Sequence, residues 1–291
     1  MLVQILEITA PVFLLTALGY GWQRRGLPFD VPFVTRLSMQ VATPALLFSV
    51  LSRIEVDPVA FRNLALASLV LYVAISAATW VVVRGAALDR RAYLAPLIYG
   101  NTGNVGLPIA LFAFGEQGLA YAMVVFAVMA AMSFTVGLMM VTERASPLEA
   151  LKQPIFHAAV LGILFASQGW DLPQFLFSSL SLTGQMAIPV MLVTLGVAVA
   201  QLDVRDMGRA LAASLAKLGL CALVAVAVAA GFALDRVAAG TLILQAITPV
   251  AVTSYMLANR YGADPEAVAG LVVVSTLVSV VALPLALAAL L

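Results

Sequence analysis

Charge is what this sequence has least of. Only 10% of its 291 residues are Asp, Glu, Lys or Arg, while 63% are hydrophobic. Soluble domains carry about a quarter charged residues, so a globule of this composition could not wet its surface and would expose aggregating apolar patches. Soluble enzymes, nucleic-acid binders, coiled coils and disordered scaffolds are excluded at this step. The 15 basic and 14 acidic residues leave a net charge of +1, which fits no polyanion and no nucleic-acid partner. One cysteine, Cys221 in an apolar run, allows no internal disulfide and no cysteine metal cluster. The one histidine, His157, begins an apolar run near Lys152 and reads as a loop-edge residue. With no buried carboxylate pair beside it, nothing is left to activate water, and no metal-ligand spacing is present. The expectation is therefore no enzyme, no catalytic residue, no metal and no cofactor. What remains is an all-α polytopic membrane protein whose surroundings are the lipid bilayer.

A bilayer core needs about 20 apolar residues per helix. Hydrophobic runs between charged or turn-rich breaks predict ten spans, near 5–22, 33–51, 63–83, 93–114, 118–141, 155–168, 174–200, 208–233, 237–258 and 266–290. No basic residue precedes the first span, whereas Arg24 and Arg25 follow it, the reverse of a cleaved signal peptide, so this helix is expected to be retained. Eleven of the 15 basic residues, from Arg24 to Arg260, fall on one side in alternate loops. Arg53, Arg62 and Arg236 fall on the other, and Lys217 lies inside a span. The positive-inside rule then puts both termini on the non-cytoplasmic side.

Prolines recur at a nearly fixed offset: Pro11 and Pro154 are 143 residues apart, Pro44 and Pro189 are 145 apart, and Pro108 and Pro249 are 141 apart. A cut near residue 145 gives two repeats, 1–145 and 146–291, of five spans each, and an odd span number inverts the second relative to the first. Inverted repeats of this kind are frequent in secondary transporters, whose sites lie at the repeat interface near the midplane.

The fourth span carries Gly100-Asn101-Thr102-Gly103-Asn104-Val105-Gly106-Leu107-Pro108, a poor continuous helix. Unwound backbone at membrane depth is tolerated only inside protein or beside a water-filled cavity. In the ninth span, Gln245-Ala246-Ile247-Thr248-Pro249 is the counterpart, with Asn104 aligned to Gln245 and Pro108 to Pro249. Thr248-Pro249 reads as an N-cap and first helical residue. Two half-helix N-termini facing each other would offer free N–H groups to an anion, with carboxamides adding neutral hydrogen bonds. The candidate substrate-binding residues are Asn101, Gly103, Asn104, Pro108, Gln245, Thr248, Pro249 and Thr253. Simple packing kinks at Pro44 and Pro189, and close helix approach at the glycines, are the blander alternatives. Lys217 could contact substrate, snorkel, or brace the crossing as a fixed charge. Glu7 reads as interfacial, and Gln40 and Gln185 have no assigned direction. Glu116, Asp235, Asp264 and Glu266 sit at turns, leaving no carboxylate-based proton or sodium site in spans three to five or eight to ten.

The run from Asn101 to Pro108, continued by Phe114-Gly115-Glu116-Gln117-Gly118-Leu119-Ala120-Tyr121, resembles the auxin efflux carrier family. The stretch from Gln245 through Tyr261-Gly262-Ala263-Asp264-Pro265 to Ala282-Leu283-Pro284 is similar to the same family's C-terminal spans. The resemblance covers the whole length. It implies ten transmembrane helices in two inverted five-helix repeats with crossed broken helices, an architecture like that of sodium–proton antiporters and bile-acid transporters. It further implies a scaffold domain from spans one, two, six and seven, a transport domain from spans three to five and eight to ten, a homodimer through the scaffold, and elevator-type alternating access. Plant members export the auxin anion, and bacterial relatives are assigned to malonate or malate. By the same resemblance, Asn101 and the crossover near Pro108, with Gln245 and Pro249 opposite, would contact an anion. The long cytoplasmic loop of many plant members and an acidic residue of span three are missing.

The expected function is a secondary carrier exporting a small organic anion by uniport across a bacterial inner membrane. A membrane sensor of the same fold and an ion-coupled organic-anion symporter are the alternatives.

Overall fold

The computed structural model describes residues 2–53, 58–142, 152–204 and 206–291. Arg144 and Arg205 of the charge count, and the expected repeat boundary at 145, lie outside them. Every regular element among the described residues is helical. The first set comprises α1 (Leu2–Arg24), α2 (Val31–Leu51), α3 (Pro58–Gly85) and α4 (Arg90–Ile98). Helix resumes at Thr102 and continues to Val141, but Gly115, at φ 65° and ψ −155°, divides that run into α5 (residues 102–114) and α6 (residues 116–141). A positive φ of this kind is open to glycine at little cost, and it lets the chain fold back. The return is complete: the Val141 carbonyl accepts a hydrogen bond from Arg91 Nε, so α6 ends at the level where α4 began. The second set is α7 (Pro154–Gln168), α8 (Gln174–Gln201), α9 (Met207–Gly231), α10 (Arg236–Ala246), α11 (Val252–Tyr261) and α12 (Pro265–Leu290).

Among the described residues seven helical stretches are long and apolar enough to cross a membrane, and α7 is a shorter apolar helix. The expected fourth and ninth spans do not appear as unbroken helices. Each is divided, with α4, α10 and α11 only 9, 11 and 10 residues long. At about 1.5 Å per residue, each reaches roughly half-way through a bilayer core. Large apolar side chains such as Leu14, Val81, Leu223 and Leu285 point outward, as a lipid-facing surface requires.

The scarce acids have a structural use. Asp30, Asp89, Asp206, Asp235 and Asp264 each stand at a helix N-cap and accept a backbone N–H of the first turn. A carboxylate there satisfies orphan donors and complements the helix dipole. Prolines shape the helices in a second way. The wide π-turns Ser38–Ala42 and Thr102–Gly106 directly precede the turns containing Pro44 and Pro108, which cannot donate to the preceding turn.

Packing sorts the helices. α1 lies along α8, and α2 packs on α7 and on α8. Elsewhere α9 packs on α3, α10 and α12, while α10 lies against the 102–132 stretch.

Candidate functional site

The two interruptions meet. Tyr99 leaves α4 in an extended conformation, and beyond α10 the chain turns at Ile247 and enters α11 through an extended Ala251. Gly100 and Val250 form an antiparallel bridge, with Asn101 N–H donating to the Pro249 carbonyl at 2.6 Å. Two further partners secure the crossing from α9 and α12: Lys217 Nζ donates to the Thr248 carbonyl at 2.8 Å, and Val250 N–H donates to Ser275 Oγ at 2.9 Å. Backbone groups that could find no water in hydrocarbon are thereby satisfied inside the protein. Gly106 lets α5 approach Gln245 closely: a Cβ at position 106 would overlap that side-chain amide and force it to shift.

A half-open cavity of about 100 Å³ lies against one side of the crossing, between α2 and α8 on one wall and α4, α6 and α11 on the other. That volume holds several waters or a small organic molecule. Asn101, Gly103, Asn104 and Thr253 line it, together with Ser254 and Tyr99. Asn101 caps α5, its Oδ1 accepting from Asn104 N–H at 3.3 Å, while its Nδ2 finds no partner among the described residues. Ala251 begins α11 without a side-chain cap. Two helix N-termini, each with partial positive charge, therefore border one cavity.

The remaining candidates stand elsewhere. Pro108 is buried within continuous helix rather than at the break, because α5 already starts at Thr102. Thr248 is not an N-cap: its hydroxyl donates to the Gln245 carbonyl and finishes α10, and Pro249 sits in the extended crossing, outside α11. Gln245 is fully buried behind the crossing, with neither amide atom hydrogen-bonded among the described residues. Thr248 and Pro249 border a second, much smaller void of about 10 Å³, shared with Lys217, Ser214, Ser275 and Ser279 on the face away from the main cavity. Lys217 is itself buried and its ammonium donates to the Thr248 carbonyl of the crossing. Glu7, Gln40, His157 and Gln185 are exposed.

Sequence reasoning missed the wall opposite the crossing, which includes Ser38 and Thr194, and it missed Arg91 at the far end of α4. Helical phase alone does not tell which face of α2 or α8 meets a neighbour. Arg91 was hidden because the Asp89-Arg90-Arg91 run reads as an ordinary charged loop.

Residues 4–150 and 143–287 match the family of membrane transport proteins, together spanning nearly the whole chain. The chain belongs to the auxin efflux carrier family. A search of the curated proteins finds no match. As a family member the chain is an integral membrane transport protein, and this auxin efflux carrier homologue comes from a family of transporters rather than of enzymes.

Proposed function

We propose that this protein is a secondary carrier for a small organic anion. The observation that carries the reading is the pair of half-helix N-termini, α5 and α11, brought to one cavity with the Asn101 and Asn104 amides. In this reading α4–α5 and α10–α11 are equivalent interrupted crossings, giving ten crossings in two inverted repeats, 1–145 and 146–291. The tight α1–α8 and α2–α7 pairs form the scaffold and the dimer contact, and the helices around the crossing form an elevator-type transport domain. Support comes from the packing, in which the cavity lies between these two groups. A monoanion leaving an inside-negative cell gains about 2.3 kcal/mol per 100 mV, so uncoupled export is downhill. The aspartates capping α9, α10 and α12 at their ends are poorly placed to couple a cation at the crossing.

Asn101→Ala and Asn104→Ala each remove hydrogen bonds to a charged ligand, which contribute about 1.5–3 kcal/mol, so affinity should fall roughly tenfold or more. Gln245→Ala should instead act on thermal stability, because its amide stands behind the crossing. The test is flux of labelled malonate, malate and indole-3-acetate in proteoliposomes at clamped voltage, with binding read by thermal shift. Binding without flux would favour a sensor, and flux that follows a proton or sodium gradient would favour a symporter.

Topology has its own test. Cysteines introduced at either terminus should react with impermeant reagents in intact cells, as expected for a bacterial inner-membrane protein with both termini outside. Protection of both would overturn the arrangement.

A further inference from the structure

We propose that Arg91 captures the substrate carboxylate at the mouth of the cavity, before the anion reaches the crossing. The inference rests on the carrier reading above and extends it to a residue outside the crossing. Arg91 lies in the first turn of α4, at the opposite end of that helix from the break, and it is the one charged side chain among the described residues lining the cavity. Its Nε donates to the Val141 carbonyl at 3.2 Å and its Nη2 to the Tyr261 carbonyl at 2.9 Å. Both acceptors are neutral backbone groups at helix ends, and Arg91 has no carboxylate partner among the described residues.

A purely structural reading is that Arg91 ties α6 and α11 to α4, since a cation is favourable at helix C-termini. That accounts for two of the five guanidinium N–H groups. The other three have no partner among the described residues, and the side chain is exposed. A guanidinium fixed at two points keeps its fork in one orientation, and the free edge matches a carboxylate in two parallel hydrogen bonds. Among the described residues the rest of the wall is neutral: amides, hydroxyls and apolar side chains. A cation with no carboxylate partner among the described residues, at the mouth of a low-dielectric cleft, concentrates anions there and favours a dianion over a monoanion.

The experiment measures initial flux of malonate, a dianion, and of indole-3-acetate, a monoanion, into proteoliposomes containing wild type, Arg91→Gln, Arg91→Lys or Arg84→Gln. Arg84 packs on Trp80, away from the cavity, so its variant controls for lost surface charge. Arg91→Gln should raise the KM for malonate about tenfold and for indole-3-acetate about threefold at low salt, with kcat little changed. Arg91→Lys should recover most of the loss. Raising salt from about 50 to about 500 mM should raise the wild-type KM several-fold and leave that of Arg91→Gln nearly flat. Should Arg91→Gln fail to fold, the wild-type salt dependence and Arg91→Lys decide alone, and a salt-independent wild-type KM overturns the inference. A fall in kcat with KM unmoved would make Arg91 only a clamp and overturn it with the carrier reading intact. No wild-type flux or binding of either probe would overturn both.

Discussion

Gly196→Val is expected to separate α1 from α8 and cost about 3 kcal/mol or more, the upper end of the overpacking range. A Cβ at position 196 would overlap the Thr16 carbonyl oxygen and stand 2.7 Å from the Tyr20 backbone nitrogen. Across the same interface, a Cβ at Gly19 would overlap the Val193 carbonyl. These obstacles are backbone atoms, which cannot rotate aside as a side-chain tip can. In a bilayer, helix pairs gain little from excluding lipid and depend on close approach through small residues. Thermal unfolding in detergent should show the loss, with Gly196→Ala intermediate. Gly219→Ala, where a Cβ meets nothing within 4 Å, should hold or slightly raise the midpoint, because alanine is the better helix former. If valine at 196 left the midpoint in place, the α1–α8 contact would not hold this part of the fold together.

That glycine pair was not legible in the sequence, and the reason is physical. Gly19 and Gly196 are 177 positions apart and each sits in a smooth apolar run, so nothing local distinguishes them from tolerated helix glycines. The interruptions were legible because they violate local rules: clustered glycine, asparagine and proline at membrane depth cannot continue a helix. Their fine structure was not. Thr248-Pro249 has the local chemistry of a helix start, yet α11 begins later because residues 249 and 250 pair with Gly100 and Asn101 across the crossing. Tertiary backbone pairing overrides the local signal. Similarly, Asn104 and Gln245 align at the repeat offset, but in space one lines the cavity and the other lies behind the crossing. A sequence offset relates positions in a repeat, and it does not say which face of each helix meets the ligand. The scarcity of buried acids was readable for the opposite reason: charge in hydrocarbon is costly, and the aspartates fall at turns where capping needs them.

Lys217→Met should separate stability from transport. The Lys217 side chain reaches the Thr248 carbonyl from a buried position on α9. Methionine has nearly the same length, so packing is retained while the donor and the charge are lost. Two effects then oppose each other. Burying an ammonium with no carboxylate costs several kcal/mol, and that cost disappears. The charge-assisted bond, about 1.5–3 kcal/mol, disappears as well and leaves a buried carbonyl without its donor. The net change in unfolding free energy should be small or favourable, and the melting point should hold or rise. Transport should fall at least tenfold, because the extended segment that sets the register of α11 against α5 loses its tie on the α9 side. The drop should appear for malonate and indole-3-acetate alike, since Lys217 borders the small void and not the main cavity. A melting point that falls by many degrees while flux persists would make Lys217 a packing residue. Loss of all binding in Lys217→Met, with full binding in Asn101→Ala and Asn104→Ala, would instead move the anion site from the cavity to the lysine.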